Sequence, residues 1–227
     1  MEIDTAVEYQ GRYYVFTDTA GIRRRGRIER GIEGYSVSRA LSAMGRSDMA
    51  VLILDAVEGI TEQDTKIAGL IVKQGRACII TVNKWDLRAG DADAHAQYTR
   101  ELRRRLRFLP WAPVLFGSAL KPDFVNELFV HIDRVMAAFL QRVPTGQLNQ
   151  FVQAIIEENP LPIRKGKPSK AVKSVFITQV AMKPPTFAFF VGHPQEVGST
   201  YLRFLEKRIR EEYGFAGCPI RILLREK

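Results

Sequence analysis

Three stretches of nearly uninterrupted apolar residues, MAVLILDA (49–56), ACIITV (77–82) and APVLF (112–116), constrain the fold more than any other feature of this sequence. A strand that is covered on both faces carries apolar side chains at every position, and such strands belong to parallel sheets flanked by helices. The segments between and after them have helical period. In GITEQDTKIAGLIVKQG (59–75), Ile60, Ile67, Leu70 and Ile71 share one face, and Thr61 and Asp64 have capping-box spacing. Residues 92–107 form a basic helix ending in RELRRRLR. Residues 123–142 turn Val125, Leu128, Phe129, Ile132, Val135, Met136 and Phe139 inward. Alternation of buried strands with helices of this length predicts an α/β domain with a mostly parallel sheet.

Two further regions flank this core. Residues 3–16 read as a hairpin: IDTAVEY alternates, Gln10-Gly11 turns, and RYYVF returns and runs into Asp-Thr-Ala-Gly. Residues 29–45 have helical spacing. A boundary falls at RVPTG (142–146), so the predicted domains are 1–142 and 146–227. The second reads as helix (147–158), a Pro/Lys-rich loop (159–170), strand (173–181), strand (186–191), helix (199–213) and strand (219–225). This αββαβ order predicts a small α+β unit.

Every strand of the first domain ends in polar residues: Asp18, Asp55, Asn83 to Asp86, and Ser118 to Lys121. Open α/β sheets bind ligands at the carboxyl ends of their strands. Three of these ends have chemistry suited to a guanine nucleotide. In Asp-Thr-Ala-Gly (Asp18, Thr19, Ala20, Gly21) the Asp can hold Mg²⁺ through water and the Gly amide can meet a γ-phosphate. In Asn-Lys-Trp-Asp, a buried Asp86 carboxylate can accept from the N1–H and N2–H₂ edge of guanine, which adenine lacks. The Lys84 stem can cover the flat face of the base, and Asn83 can tie the loop to its neighbours. In Ser-Ala-Leu-Lys, the Ala119 amide can meet guanine O6 while Ser118 and Lys121 flank the base. Asp-Thr-Ala-Gly and Ser-Ala-Leu-Lys are weak signals alone, and Asn-Lys-x-Asp is a sharper one. Their order, with 65 residues from Asp18 to Asn83 and 35 from Asn83 to Ser118, makes the set specific.

With these residues in place, the chain resembles the Der (EngA) family of bacterial tandem GTPases, in particular its second GTPase domain and C-terminal KH-like domain. The resemblance rests on DTAGIRRRGRI, DAVEGITEQD (55–64), NKWDL (83–87), GSALK (117–121), KPPTFAFFV (183–191) and YGFAGCPIRI (213–222). It implies binding of GTP and GDP with Mg²⁺, and GTP hydrolysis coupled to assembly of the large ribosomal subunit. It also implies a KH-like domain that contacts ribosomal RNA and packs against GTPase domains.

The departures are as informative. A P-loop has the pattern G-x-x-x-x-G-K-[ST], whose Lys reaches the β- and γ-phosphates and whose Ser/Thr binds Mg²⁺. Gly21 to Ile28 offers Arg27 and Ile28 at those positions, so it reads as switch II. Ile22 stands where many GTPases place a water-orienting Gln, and no catalytic side chain is evident. The predicted fold is therefore an incomplete P-loop GTPase fold followed by a KH-like domain. Without the strand that would lie between 12–17 and 49–56, the hairpin is expected to be the least secure element, either closing against 49–56 or remaining splayed. Nucleotide binding is expected to be weak, with little or no hydrolysis by these residues alone. Two other readings stand beside this one: a non-enzymatic RNA- or ribosome-binding module on a degenerate GTPase scaffold, and an incomplete gene product with Met1 an internal start.

The net charge is +9, of which residues 143–227 carry +6 (13 Lys/Arg against 7 Asp/Glu). A basic excess suits a polyanion such as RNA. The KH-like unit lacks the Gly-x-x-Gly loop that clamps nucleic-acid backbones. Its helix 199–213 presents Arg203, Lys207, Arg208 and Arg210 as RNA-contact candidates; domain packing is the alternative. Phe187, Phe189 and Phe190 fit a core better than a stacking platform. RELRRRLR fits a solvated helix face better than an RNA contact. His95, His131 and His193 have no metal-ligand spacing, and Cys78 and Cys218 read as reduced, buried thiols. No apolar run approaches the roughly 18 residues of a membrane span, and MEIDTAVEYQ is not a signal peptide. The expected setting is a cytoplasmic monomer.

Overall fold

A computed structural model describes residues 3–18, 44–88, 93–161 and 175–227. The chain divides into two compact units, Met1–Val135 and Met136–Lys227.

The first unit is built on strands β3 (Met49–Asp55), β4 (Ala77–Asn83) and β5 (Val114–Phe116), which form a parallel sheet in the order β3-β4-β5. In β4 every residue from Ala77 to Val82 is buried, as the uninterrupted apolar run requires. Helix α1 (Glu62–Gln74) follows β3, helix α2 (Ala94–Arg105) follows β4, and helix α3 (Pro122–Phe139) follows β5. The capping box read in the sequence forms: the Thr61 hydroxyl accepts from the Asp64 amide, and the Asp64 carboxylate accepts from the Thr61 amide. Leu52, Leu54, Ala68, Ile71, Ile80, Val82, Tyr98, Leu102 and Leu106 meet in one core.

Several expectations change. The third strand is shorter than APVLF and begins at Val114, because Ala112 and Pro113 lead into it; the Pro113 carbonyl still accepts from the Ile80 amide at 2.9 Å. On α3, Val125 is exposed. Phe124 takes the inward position instead, against Gly117. The helix expected over 29–45 lies mostly outside the described residues, which retain only its end at 44–46. Gly21 to Ile28 lie outside them too.

The hairpin forms with strands β1 (Ile3–Tyr9) and β2 (Arg12–Asp18) in antiparallel register, Ile3 opposite Asp18. Its turn residues Gln10 and Gly11 both have positive φ, 49° and 74°, the pattern of a two-residue type I′ turn. It stands as its own two-stranded sheet, unpaired with β3. Of the two outcomes expected, closing against 49–56 does not occur. Its support is α3. The Tyr9 ring stacks on Phe129 at 4.2 Å, and Tyr14 meets the same ring edge-on at 5.0 Å. Asp133 accepts from the Tyr14 hydroxyl at 2.8 Å and from Arg12 at 2.6 Å. Burial and the Asp133 carboxylate both raise the Tyr14 pKa.

The second unit packs helices α4 (Thr145–Glu158) and α5 (Ser199–Tyr213) with strands β6 (Phe176–Ala181), β7 (Thr186–Val191) and β8 (Arg221–Glu226). Strand order is β6-β7-β8, with β6 antiparallel and β8 parallel to β7. Phe187 and Phe189 are fully buried, core residues as read. The Asn149 amide of α4 acts as a peptide would: its Nδ2 donates to the Ile177 carbonyl and its Oδ1 accepts from the Ile177 amide. Gln179, buried, accepts from the Val143 amide and donates to the Gln141 carbonyl. Residues 162–174, with most of the Pro/Lys-rich loop, lie outside the described residues.

Neither cysteine is in a disulfide and both are buried, and burial pushes each thiol pKa up to about 12. Among the described residues no helix is long and apolar enough to cross a membrane.

Candidate functional site

Parallel pairing brings the carboxyl ends of β3, β4 and β5 to one edge. Asp55 is the register partner of Asn83, and Val82 that of Phe116. The ladder continues past the strands into the loops. The Ala56 amide donates to the Asn83 carbonyl at 2.9 Å, the Gly117 amide to Val82 at 3.1 Å, and the Trp85 amide to Gly117 at 3.0 Å. These bonds satisfy backbone groups that would otherwise end unpaired at a buried sheet edge. They also fasten three loops to one another.

Within this frame Asn83 does what the sequence suggested: its Oδ1 accepts from the Ala119 amide at 2.9 Å, joining the loop after β4 to the loop after β5. That bond carries a correction. The Ala119 amide, expected to face a purine O6, is already engaged by Asn83. Ser118 is buried, 5% exposed, and its carbonyl accepts from the Lys121 amide at 2.9 Å. The Lys121 carbonyl accepts from Val125 and so opens α3, while the Lys121 side chain is on the exposed surface.

Lys84 has φ 60°, the left-handed region that a non-glycine residue enters at a cost of about 1–2 kcal/mol. This reversal turns the chain from β4 into the short 3₁₀ turn Trp85–Arg88, where the Leu87 amide donates to the Lys84 carbonyl. Trp85, the variable residue of the tetrapeptide, pins the turn. Its ring meets Phe116 at 4.7 Å, Tyr98 at 5.7 Å and His95 at 5.9 Å, all near-perpendicular. Asp86 is exposed, where the sequence reading expected a buried carboxylate.

Sequence reasoning missed two contributors. The Lys84 ammonium lies 2.7 Å from Asp55 Oδ2, and Asp55 Oδ1 accepts from the amides of Val57 and Glu58. The hydrogen bond from Lys84 lowers the Asp55 pKa, against the opposing effect of burial. The signal was visible in Asp55 ending a buried strand. The other is Gly117: a Cβ built there would fall 2.1 Å from a ring carbon of Phe124. Only the bare backbone of glycine admits that ring beneath the loop.

The structure unites Asn83, Lys84, Asp86, Ser118, Ala119 and Lys121. The Asp-Thr-Ala-Gly element lies mostly outside the described residues. Asp18 ends β2 in the separate two-stranded sheet, its side chain is not described, and Thr19, Ala20 and Gly21 lie outside the described residues. Among the described residues no group of three or more His, Cys, Asp or Glu is placed to hold a metal. His95 instead packs against Phe116, with ring centroids 4.1 Å apart.

In the second unit the basic candidates on α5 separate. Arg210 turns inward: its guanidinium donates to the carbonyls of Phe215 and Cys218 at 2.6 and 2.9 Å and to Glu206, and burial lowers its pKa. It fastens the loop after α5, a correction to its place among RNA-contact candidates. Arg203 is exposed and donates to the Thr200 hydroxyl at 3.4 Å. Lys207 pairs with Glu211 and Arg208 with Glu158, each at 3.6 Å.

Residues 142–225 match a family model described as the KH-domain-like C-terminal domain of EngA bacterial GTPase enzymes. Residues 33–145 match the elongation factor Tu GTP binding domain. GTPase Der of Synechococcus sp. (strain JA-3-3Ab) is 45% identical over 228 residues, covering 99% of this chain and 49% of that protein. GTPase Der of Agathobacter rectalis is 43% identical over 225 residues, covering 99% and 50%. The chain spans about half the length of the curated relatives it matches. A crystal structure of an Aquifex aeolicus Era variant bound to GDP.AlF4- covers 100% of this chain and 81% of its own, at 20% identity and a TM-score of 0.47.

Proposed function

The chain belongs to the Der (EngA) family of bacterial GTPases, and on that premise we propose that it carries the base-recognition side of a GTP and GDP site in a protein that hydrolyses GTP and acts in assembly of the large ribosomal subunit. The observation that carries the proposal is the joining of the loops after β3, β4 and β5 through Ala56–Asn83, Asn83–Ala119 and Lys84–Asp55. Such a joined edge holds the exposed Asp86 carboxylate on a fixed turn. There it accepts from N1–H and N2–H₂ of guanine, two donors that adenine does not offer. The Lys84 stem covers the face of the ring, and the exposed Lys121 flanks its edge.

Asp18 would hold Mg²⁺ through water and Gly21 would meet the γ-phosphate. Bound there, Mg²⁺ would neutralise charge on the phosphates, and the reaction of the family would be attack of water on the γ-phosphate, promoted by positioning and electrostatics. No G-x-x-x-x-G-K-[ST] occurs in the sequence, so these 227 residues are expected to bind nucleotide weakly. Titration of a fluorescent GTP analogue tests this: micromolar or tighter binding contradicts it. Specificity is tested by Asp86→Asn, whose amide donates where the carboxylate accepted. The variant should lose guanine preference and gain affinity for xanthine, which carries a carbonyl at the 2-position. An unchanged preference for GDP over ADP would sink the assignment of Asp86.

For RNA, the exposed Arg203 and the peripheral Lys207 and Arg208 are the candidate contacts. The exposed ion pairs of the latter two are weak and can exchange for phosphates. Binding to a ribosomal RNA fragment should weaken in Arg203/Lys207/Arg208→Ala, with a shallower salt dependence. Equal affinity would remove this face from the RNA surface.

A further inference from the structure

We propose that Asp55 is a positioning residue for the base-recognition loop: it holds the Lys84 ammonium so that the lysine stem is laid out as a platform for a purine ring. The inference rests on the reading of Asn83 to Asp86 as the base site. Its geometric basis is the division of labour between the two carboxylate oxygens. Oδ1 accepts from the Val57 amide at 2.8 Å and the Glu58 amide at 3.2 Å, which fixes the carboxylate to the turn after β3. A further bond, from the Gly59 amide to the Asp55 carbonyl at 2.9 Å, closes the same turn. Oδ2 is left for the Lys84 ammonium at 2.7 Å.

The pair is asymmetric. The Asp55 side chain is 15% exposed and the Lys84 side chain 55% exposed, so the carboxylate is the fixed member and the lysine the one held. Backbone register puts Asp55 directly beside Asn83, one residue before the lysine. The left-handed backbone at Lys84 sets where its side chain departs. Two physical consequences follow. A lysine side chain loses much rotamer freedom when it must line a site, and ordering it beforehand removes that cost from binding. Neutralising its charge also suits a neutral ring, which needs a flat apolar surface. A charge-assisted hydrogen bond to a backbone-anchored carboxylate provides both.

The role separates from a merely structural one in a double-mutant cycle on the 227-residue chain, with GDP as probe and saturation-transfer NMR reading weak binding. Asp55→Asn should weaken GDP about three- to fivefold in the wild-type background, the effect of a part-exposed ion pair. It should have no effect in a Lys84→Met background. A loss of the same size in both backgrounds overturns the proposal, because Asp55 would then act through its turn. The pair is also read without ligand, by acylating lysine amines and measuring Lys84 by mass spectrometry. Lys84 should acylate faster in Asp55→Asn, and equal rates overturn the proposal. A wild-type chain that fails to distinguish GDP from ADP overturns the base-site reading itself; the acylation ratio tells that failure from failure of the Asp55–Lys84 contact.

Discussion

The two three-stranded sheets of this chain use their polar side chains in opposite ways. In β3-β4-β5 the strand interiors are apolar apart from the buried Thr81, and the other polar groups gather at one edge, where Asp55, Asn83 and Lys84 join loops to loops. In β6-β7-β8 the polar groups lie within the body of the unit: Asn149 bonds the backbone of β6, Gln179 of β6 bonds the backbone of Gln141 and Val143, and Arg210 bonds the loop after α5. The first arrangement leaves exposed side chains such as Asp86 on a braced rim, which is what a ligand site needs. The second consumes its polar groups in fastening the fold. It leaves the charges on the outside of α5 for the RNA contact proposed above. The buried thiols Cys78 and Cys218 lie one in each unit, so labelling of each thiol reports the opening of its own sheet.

The largest effect that would break this contrast is expected at Gly117. A Cβ 2.1 Å from the Phe124 ring must displace either the loop or α3. Gly117→Ala should lower stability by about 2–3 kcal/mol and speed labelling of Cys78 while leaving Cys218 slow. Phe124→Leu, which shortens the ring's reach, should recover part of the loss when combined with it. If urea denaturation finds Gly117→Ala as stable as wild type, the close packing of this loop is not a constraint.

Gln179→Ala acts on the other sheet. It strips the partner from the buried Val143 amide and should cost about 1–3 kcal/mol, with Cys218 now the thiol that labels faster. Equal acceleration of both thiols would mean that the two units open together and that the contrast is one of appearance. A smaller effect is expected from Thr61→Ala, about 1 kcal/mol in thermal unfolding, because the capping box at α1 loses its hydroxyl acceptor. The Cys78 side should register it.

How far the sequence disclosed these features depends on how local each one is. The apolar run at 77–82, the capping box at Thr61 and Asp64, and the turn at Gln10 and Gly11 are all written in residues close together, and each forms as read. The placement of Asn83, Lys84, Asp86, Ser118, Ala119 and Lys121 at one edge was legible too, because parallel strands always present their carboxyl ends together. What escaped was set by contacts distant in sequence. Phe124 replaced Val125 on the inner face because Gly117 leaves room for a ring there. Arg210 turned inward to donate to the Phe215 and Cys218 carbonyls of the following loop. The hairpin settled on Phe129 and Asp133, more than 110 positions away. Nothing in the period of IDTAVEY names that partner.

The smallest expected effect bears most directly on the rim. The Asp55 pKa lies below its ordinary value, chiefly through the hydrogen bond from Lys84. A carboxylate depressed in the folded state contributes stability above its unfolded pKa of about 4. That contribution fades as pH falls through the lower folded value. Lys84 is more than half exposed, so solvent and salt screen the pair, and its contribution is set at about 0.5 kcal/mol. Lys84→Met should therefore be less stable than wild type by about that amount at pH 6, and the difference should vanish as pH approaches 2. Salt at 1 M should shrink it at pH 6, since the screening length is then only about 3 Å. A difference that stays constant from pH 6 to pH 2 would mean that the lysine stabilises the rim by packing its stem. The carboxylate would then have no part in holding it, and the contrast between a charged, braced edge and a polar-fastened interior would lose its electrostatic half.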